Sequence, residues 1–119
     1  MGILNGFQFS FHPNVTSFGD KVHEISVHDP SYEGPKVYGR IGYMEIHPES
    51  GIIYDISVLP KHQRKGVATA MWDLAHSIHQ AMPDKYPKPV HSPIRSDDGE
   101  EWAKKVGGDI PPRAIDNDY

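Results

Sequence analysis

The sequence predicts a single domain of mixed α/β class. Three observations support this prediction: segments that alternate apolar and polar residues, a hairpin signal at Pro48–Gly51, and an amphipathic stretch that starts after Gly66. The length of 119 residues and the mass of 13.4 kDa suit one domain with one core. We expect this domain to span residues 1–108. Residues 109–119 have little to bury and are expected to form a flexible C-terminal tail.

Four strands are predicted in the first half of the chain. Phe7–Phe11 alternates apolar and polar residues, and Val22–Asp29 repeats this pattern with Val22, Glu24 and Ser26 on one face. Lys36–His47 and Gly51–Leu59 are predicted as two long strands joined through the sequence PESG. Only about ten residues separate the first two strands, which leaves little chain for a helix between them.

Two helices are predicted in the second half of the chain. The apolar residues after Gly66 share one stripe at three- and four-residue spacing: Val67, Ala70, Met71, Leu74, Ala75, Ile78 and Met82. Val90–Ile94 follows as a short predicted strand. The last helix has Ser96 as its N-cap, acidic residues in its first turn, lysines in its last turn and glycine beyond.

Composition and charge exclude several functions. A net charge of −4 and a pI near 6.0 argue against a general nucleic-acid binder, whose surface would be broadly basic. No apolar run approaches the roughly 20 residues that cross a bilayer, so we expect no membrane contact. The absence of cysteine excludes disulfides, thiolate catalysis and zinc–thiolate sites, and it fits a cytoplasmic protein. The eight histidines are scattered, and we expect no metal.

A basic turn ending in glycine, residues 61–66, joins a buried strand to the start of the amphipathic helix. Its charges are Lys61, Arg64 and Lys65, and it contains no acidic residue. A helix start has unpaired N–H groups and a positive dipole end, so a diphosphate is a natural occupant. Neither the P-loop pattern nor the three-glycine dinucleotide pattern is present. The alternative interpretation is an ordinary strand-to-helix turn with solvated lysines.

The stretch Val58-x-Pro60-x-x-Gln63-Arg64-Lys65-Gly66-Val67-Ala68 resembles the cofactor motif of the GNAT superfamily of N-acetyltransferases. The likeness in the order of strands and helices covers about Val37–Gly108. The resemblance implies a mixed, mostly antiparallel sheet with a splayed strand pair and a strand-turn-helix that binds pyrophosphate. It also implies acetyl-CoA as cosubstrate and direct acetyl transfer to a primary amine in a ternary complex. The pyrophosphate is expected on the amides of Gln63, Arg64, Lys65, Gly66, Val67 and Ala68.

The resemblance implies further site residues. The pantetheine arm is expected beside Ile56, Ser57 and Val58, and the Val58 N–H is expected to polarise the thioester carbonyl. Asp55 is the first candidate to bind or deprotonate the amine, with Glu45 and His91 as alternatives. Ser96 takes the place of an asparagine that often contacts the cofactor. Trp102 is expected to pack against pantetheine or in the core.

The chain departs from the family pattern in two places. Ala103 stands where the family usually has a tyrosine that gives a proton to the thiolate, so water or another tyrosine, Tyr86 or Tyr54, is needed. The N-terminal helices that usually wall the acceptor site are reduced, which indicates a larger acceptor or a wall supplied by a homodimer partner. A second interpretation is therefore a non-catalytic acyl-CoA-binding or protein-interaction module on the same fold.

Overall fold

The described residues form a five-stranded sheet, two α-helices and a short 3-10 helix at Pro60–His62. The computed structural model describes residues 3–4, 6–16, 18–31, 39–63 and 66–113. The strands are β1 (Ile3–Leu4), β2 (Phe7–Val15), β3 (Lys21–His28), β4 (Arg40–Ile46) and β5 (Ile53–Val58), and the helices are α1 (Val67–Ala81) and α2 (Asp97–Val106). The strands lie in chain order, each antiparallel to the next. The predicted mixed α/β class is confirmed.

β2 and β3 form a long hairpin. β2 runs to Val15, beyond its predicted end at Phe11, and pairs with β3 from Gln8 opposite His28 to Val15 opposite Lys21. The Thr16 N–H donates to Asp20 O at 2.8 Å and closes the turn. This tight connection leaves no room for the helices that the family usually places between its first two strands. Their predicted reduction is therefore complete at this point of the fold.

The second hairpin joins β4 to β5 through the predicted PESG turn. Gly51 has φ +77°, and its N–H donates to His47 O at 3.0 Å. A Cβ at Gly51 would lie 2.1 Å from Lys88 O, so only glycine lets the later segment approach this turn. Within the ladder the register shifts between Glu45 and Ile46, so the ladder contains a β-bulge that leaves Tyr54 of β5 without a directly opposite residue.

The core lies between α1 and one face of the sheet. From α1 it takes Val67, Met71, Trp72 and Ala75, and the sheet supplies Phe7, Ile25, Val27, Ile41, Met44, Ile46 and Ile53. The predicted stripe of α1 is correct at its start and wrong at its end, because the helix stops at Ala81 and Met82 is exposed. Among the described residues no helix is long and apolar enough to cross a membrane.

The segment predicted as a strand at Val90–Ile94 forms only one bridged position. Val90 pairs in parallel with Ile52 on one side and with Asp109 on the other. Pro93 has no N–H to donate, and the chain bends at residues 93–94, so a regular ladder does not form. The described part of the predicted tail, residues 109–113, is bonded to the domain, since an Arg95 Nη donates to Pro111 O at 2.9 Å.

Candidate functional site

β5 is the edge strand of the sheet, and its outer side is paired only where the strand begins. The Ile53 N–H donates to Val90 O at 2.8 Å, and the Val90 N–H donates to Gly51 O at 2.9 Å. Beyond Ile53 the described residues provide no ladder partner on that side. In the described part of the chain, most of β5 therefore has an unpaired outer edge, as expected where two neighbouring strands splay apart.

The backbone of Val58 faces this unpaired edge. On the inner side of β5, the N–H of the next residue, Leu59, donates to Ile41 O at 2.9 Å. Because successive N–H groups alternate in direction along a strand, the N–H and C=O of Val58 point outward. The Gln63 side-chain amide donates to Val58 O at 2.9 Å and ties the turn to the end of β5. The Val58 N–H is thus a backbone donor at the edge, suited to polarise a carbonyl.

α1 begins at a glycine in the left-handed conformation. Gly66 is the N-cap with φ 83° and ψ 11°, and no side chain caps the helix. The first intrahelical bond runs from the Ala70 N–H to Gly66 O at 2.9 Å, so the N–H groups of residues 67–69 precede it. A Cβ at Gly66 would meet no atom within 4 Å. Beyond its chain neighbours, no described residue fills the position beside Gly66, and the positive dipole end of the helix favours an anion there.

Three carboxylates lie side by side on the face of the sheet opposite α1. Glu24 on β3 is opposite Glu45 on β4, and Glu45 is opposite Asp55 on β5. Directly opposite residues have Cβ atoms about 4.5–5.5 Å apart. Burial and the charges of Asp55 and Glu24 raise the pKa of Glu45. Among the described residues, Glu45 and Asp55 form no ion pair with lysine or arginine, so a cation is attracted to this pair.

Glu24 differs from the other two carboxylates because both of its oxygens already accept hydrogen bonds. It is 2% exposed and accepts hydrogen bonds from Asn14 Nδ2 at 2.7 Å, from Arg40 Nη1 at 2.9 Å and from the Ser26 hydroxyl. Burial acts to raise the pKa of Glu24, but the bonds from Ser26 and Asn14 and the charge of Arg40 hold it below its ordinary value. Glu24 therefore stabilises the sheet and is not free for a ligand.

Tyr43 reaches across to Asp55 on the same face. Its hydroxyl donates to Asp55 Oδ2 at 2.7 Å, and its ring lies 4.6 Å from the guanidinium carbon of Arg40. The hydrogen bond to Asp55, with burial and the nearby carboxylate charges, raises the pKa of Tyr43 to about 12. Sequence reasoning missed this residue. The only signal was the alternation of β4, which puts Tyr43 and Glu45 on one face of a strand that precedes a hairpin.

His91 lies among the aromatic rings of the helices and not beside Asp55. It is 1% exposed, its ring stacks on Trp72 with 3.9 Å between centroids, and its Nε2 is 2.8 Å from Gly107 O. Burial lowers the pKa of His91. The structure thus does not bring His91 together with the other candidates for the acceptor site.

The two predicted cofactor contacts on α2 have partners inside the domain. Ser96 Oγ accepts a hydrogen bond from the Gly99 N–H at 3.1 Å and caps α2. Trp102 Nε1 donates to Thr69 Oγ1 at 3.1 Å, which ties α2 to the first turn of α1. Trp102 also packs against the core, one of its two expected positions. Ser96 thus fixes the start of α2, and Trp102 fixes α2 against the first turn of α1.

The remaining predicted residues lie along β5 and the turn. Ile56 packs against the core, whereas Ser57 is exposed on the same face as Asp55. Arg64 and Lys65 lie outside the described residues. In the part of the chain that the structure describes, no group of three or more His, Asp or Glu side chains is placed to hold a metal ion.

Comparison with known proteins identifies one family. The model described as "Acetyltransferase (GNAT) family" matches residues 10–87, more than half of the chain. A search of curated proteins and a search of solved structures gave no significant match. The matched range includes β3, β4, β5, the basic turn and α1, and it ends before Val90 and α2.

Proposed function

Since the chain belongs to the acetyltransferase (GNAT) family, we propose that it transfers the acetyl group of acetyl-CoA to a primary amine by direct attack in a ternary complex. One observation carries the proposal. The uncapped start of α1, with Gly66 in the left-handed conformation, follows β5, the strand that has the unpaired edge, after the basic turn. An anion site and a backbone donor are therefore neighbours. A cytoplasmic location stays a prediction.

The start of α1 suits the pyrophosphate of the cosubstrate. The N–H groups of residues 67–69 precede the first helical bond, and Gly66 presents open space in front of them. Arg64 and Lys65 add positive charge in the sequence of the same turn. Bonds from N–H groups to a charged oxygen contribute about 1.5–3 kcal/mol each. We assign this role to residues 63–68 as a backbone cradle.

The unpaired edge of β5 suits the pantetheine arm and the thioester. An amide-containing chain beside Ile56 and Ser57 can bond to outward backbone groups of β5, much as an added strand does. The Val58 N–H then supports the negative charge that develops on the carbonyl oxygen during attack. The Gln63 side chain occupies Val58 O and holds the turn next to this donor.

The acceptor amine is assigned to the face that carries Glu45 and Asp55. An alkylammonium with a pKa of about 10.4 must lose a proton before its nitrogen can attack. Glu45, whose pKa is raised, is the better base for this first proton, and Asp55 holds the cation beside it. No helix intervenes between β2 and β3, so this face suits a large acceptor or a partner subunit in a homodimer.

The second candidate function is an acyl-CoA-binding module without catalysis. Ala103 favours it, because this residue occupies the usual position of the tyrosine acid and is fully buried. Two measurements separate the functions. Calorimetry with CoA tests binding, and a thioester-consumption assay with a panel of primary amines tests turnover. Binding without turnover supports the module, and absence of both refutes the cosubstrate assignment.

A further inference from the structure

The hydrogen bond between Tyr43 and Asp55 places a proton donor beside a carboxylate of β5, the strand that ends at the proposed donor Val58. Tyr43 on β4 is directly opposite Ser57 on β5, and Ser57 immediately precedes Val58. Its hydroxyl is 2.7 Å from Asp55 Oδ2. The Arg40 guanidinium lies over the Tyr43 ring and also forms an ion pair with Glu24. The phenol is thereby held in one orientation by two neighbours.

Acetyl transfer to an ammonium group removes two protons from its nitrogen, at two different stages of the reaction. The first must leave before attack, and Glu45 is assigned to it above. The second is on the nitrogen that has attacked the carbonyl, where it is strongly acidic, so a weak base such as Asp55 can accept it. The departing thiolate needs a proton at the same stage. An ionised Asp55 cannot supply it, because an ionised carboxylate only accepts, whereas the Tyr43 hydroxyl bonded to Asp55 carries a proton.

We propose that Tyr43 and Asp55 act as one proton-carrying pair, in which Asp55 accepts the second proton of the amine and Tyr43 gives its own proton to the departing thiolate. The inference rests on the proposed acetyltransferase function. The N–C bond forms and the C–S bond breaks, and the sulfur receives the phenolic proton. The proton on Asp55 then moves to the Tyr43 oxygen along their existing hydrogen bond. The amide and the CoA thiol are the products, Glu45 releases the first proton to solvent, and Tyr43 and Asp55 return to their first state.

The two tyrosines suggested by the sequence are less suited to this step. Tyr86 packs edge-on against Phe11 and His23 on the face that carries α1. Tyr54 lies at the bulge of β5, where its ring contacts His47. Within the described residues, neither tyrosine hydroxyl donates a hydrogen bond to a carboxylate, whereas the Tyr43 hydroxyl does. Tyr43 is the tyrosine joined to a candidate acceptor-site carboxylate.

The first test uses the free protein. Carbon-13 NMR of the tyrosine Cζ atoms, assigned by comparison with Tyr43→Phe, follows ionisation of each phenol. We expect Tyr43 to stay protonated at a pH where an ordinary tyrosine, with a pKa of about 10, has ionised. In Asp55→Asn its titration should move back toward that value. A Tyr43 that titrates identically in wild type and Asp55→Asn is not paired with Asp55, and the proposal fails.

The second test compares turnover at saturating acetyl-CoA and amine. Tyr43→Phe should lower kcat by at least about 100-fold, the low end for general acid catalysis, with CoA affinity within twofold of wild type. The double variant with Asp55→Asn should lose little more than the worse single variant, because the pair acts as a unit. Tyr54→Phe, the matched control on the neighbouring strand, should keep wild-type turnover.

The outcomes separate the inference from the proposed function. If wild type consumes acetyl-CoA with an amine and Tyr43→Phe turns over equally well, the function stands and the pair is refuted. A loss in Tyr86→Phe that Tyr43→Phe does not share also refutes it. If wild type binds CoA but acetylates no amine in the panel, the function and the inference fail together.

Discussion

Replacing Gly66 by alanine should weaken CoA binding while leaving the domain folded. Gly66 has φ +83°, and a Cβ there would meet no protein atom within 4 Å. The added methyl group therefore meets none of the described residues beyond its chain neighbours, and it projects into the space proposed for the pyrophosphate. A bulkier valine, the natural choice from sequence alone, is a worse probe, because β-branched residues are strongly disfavoured at positive φ.

A matched control separates the backbone strain of alanine at positive φ from the effect of Gly66→Ala on CoA binding. Gly19 in the β2–β3 turn has φ +88° and also has no atom within 4 Å of an added Cβ. Alanine at either position should cost about 1–2 kcal/mol of stability from left-handed strain. Only Gly66→Ala should also lose one hydrogen bond to a charged oxygen, about 1.5–3 kcal/mol, or roughly 10- to 100-fold in affinity.

Calorimetry with CoA and thermal unfolding on the same samples measure both quantities. We expect similar melting temperatures for the two variants and weaker CoA binding for Gly66→Ala alone. If Gly66→Ala and Gly19→Ala bind CoA equally tightly, the start of α1 does not hold the pyrophosphate, and the reasoning from its open N-terminus is wrong.

Three further predictions concern the acceptor face and α2. Asp55→Asn should lower turnover by about 100-fold at neutral pH with unchanged CoA affinity, measured by thioester consumption and calorimetry. Glu45→Gln should raise stability at pH 7 by up to about 1 kcal/mol. Because folding raises the pKa of Glu45 above 4.5, the folded chain binds more protons than the unfolded chain as the pH rises above that value. The stability of the wild type therefore falls with rising pH in this range. Denaturant titrations should show that the stability gain of Glu45→Gln vanishes below pH 4.5. Ala103→Tyr, a natural attempt to restore the family's acid, should destabilise the domain by more than about 1 kcal/mol, because Ala103 is fully buried; an unchanged melting temperature would contradict this.

The fold was predictable where the signals are local. The PESG turn, the glycine before α1 and the Ser96 cap are each set by a few adjacent residues, and all three occur as expected. The strand at Val90–Ile94 was not, because its length depends on what it can pair with. Pro93 removes a donor, and Val90 bridges two segments that are remote in sequence.

The candidate site was predictable in its elements but not in its contacts. Asp55 and Val58 follow from the motif, whereas the bond from Tyr43 to Asp55 depends on the β4–β5 register, which a bulge shifts. The hydrogen bonds that compensate the burial of Glu24 likewise come from Asn14 and Arg40, which lie on the two neighbouring strands. Alternation within one strand says which face a residue takes, and not which side chain it meets there.

The chain-order sheet has a consequence for how the molecule folds and opens. Each ladder joins strands adjacent in sequence, so the loops to be closed are short and the meander can form early. The bridges of Val90 to Ile52 and Asp109 close longer loops and consist of single positions. They are the natural last step of folding and the first to open in native-state hydrogen exchange. A cosubstrate bound along β5 would therefore slow hydrogen exchange most at this edge of the sheet, which opens first in the free domain.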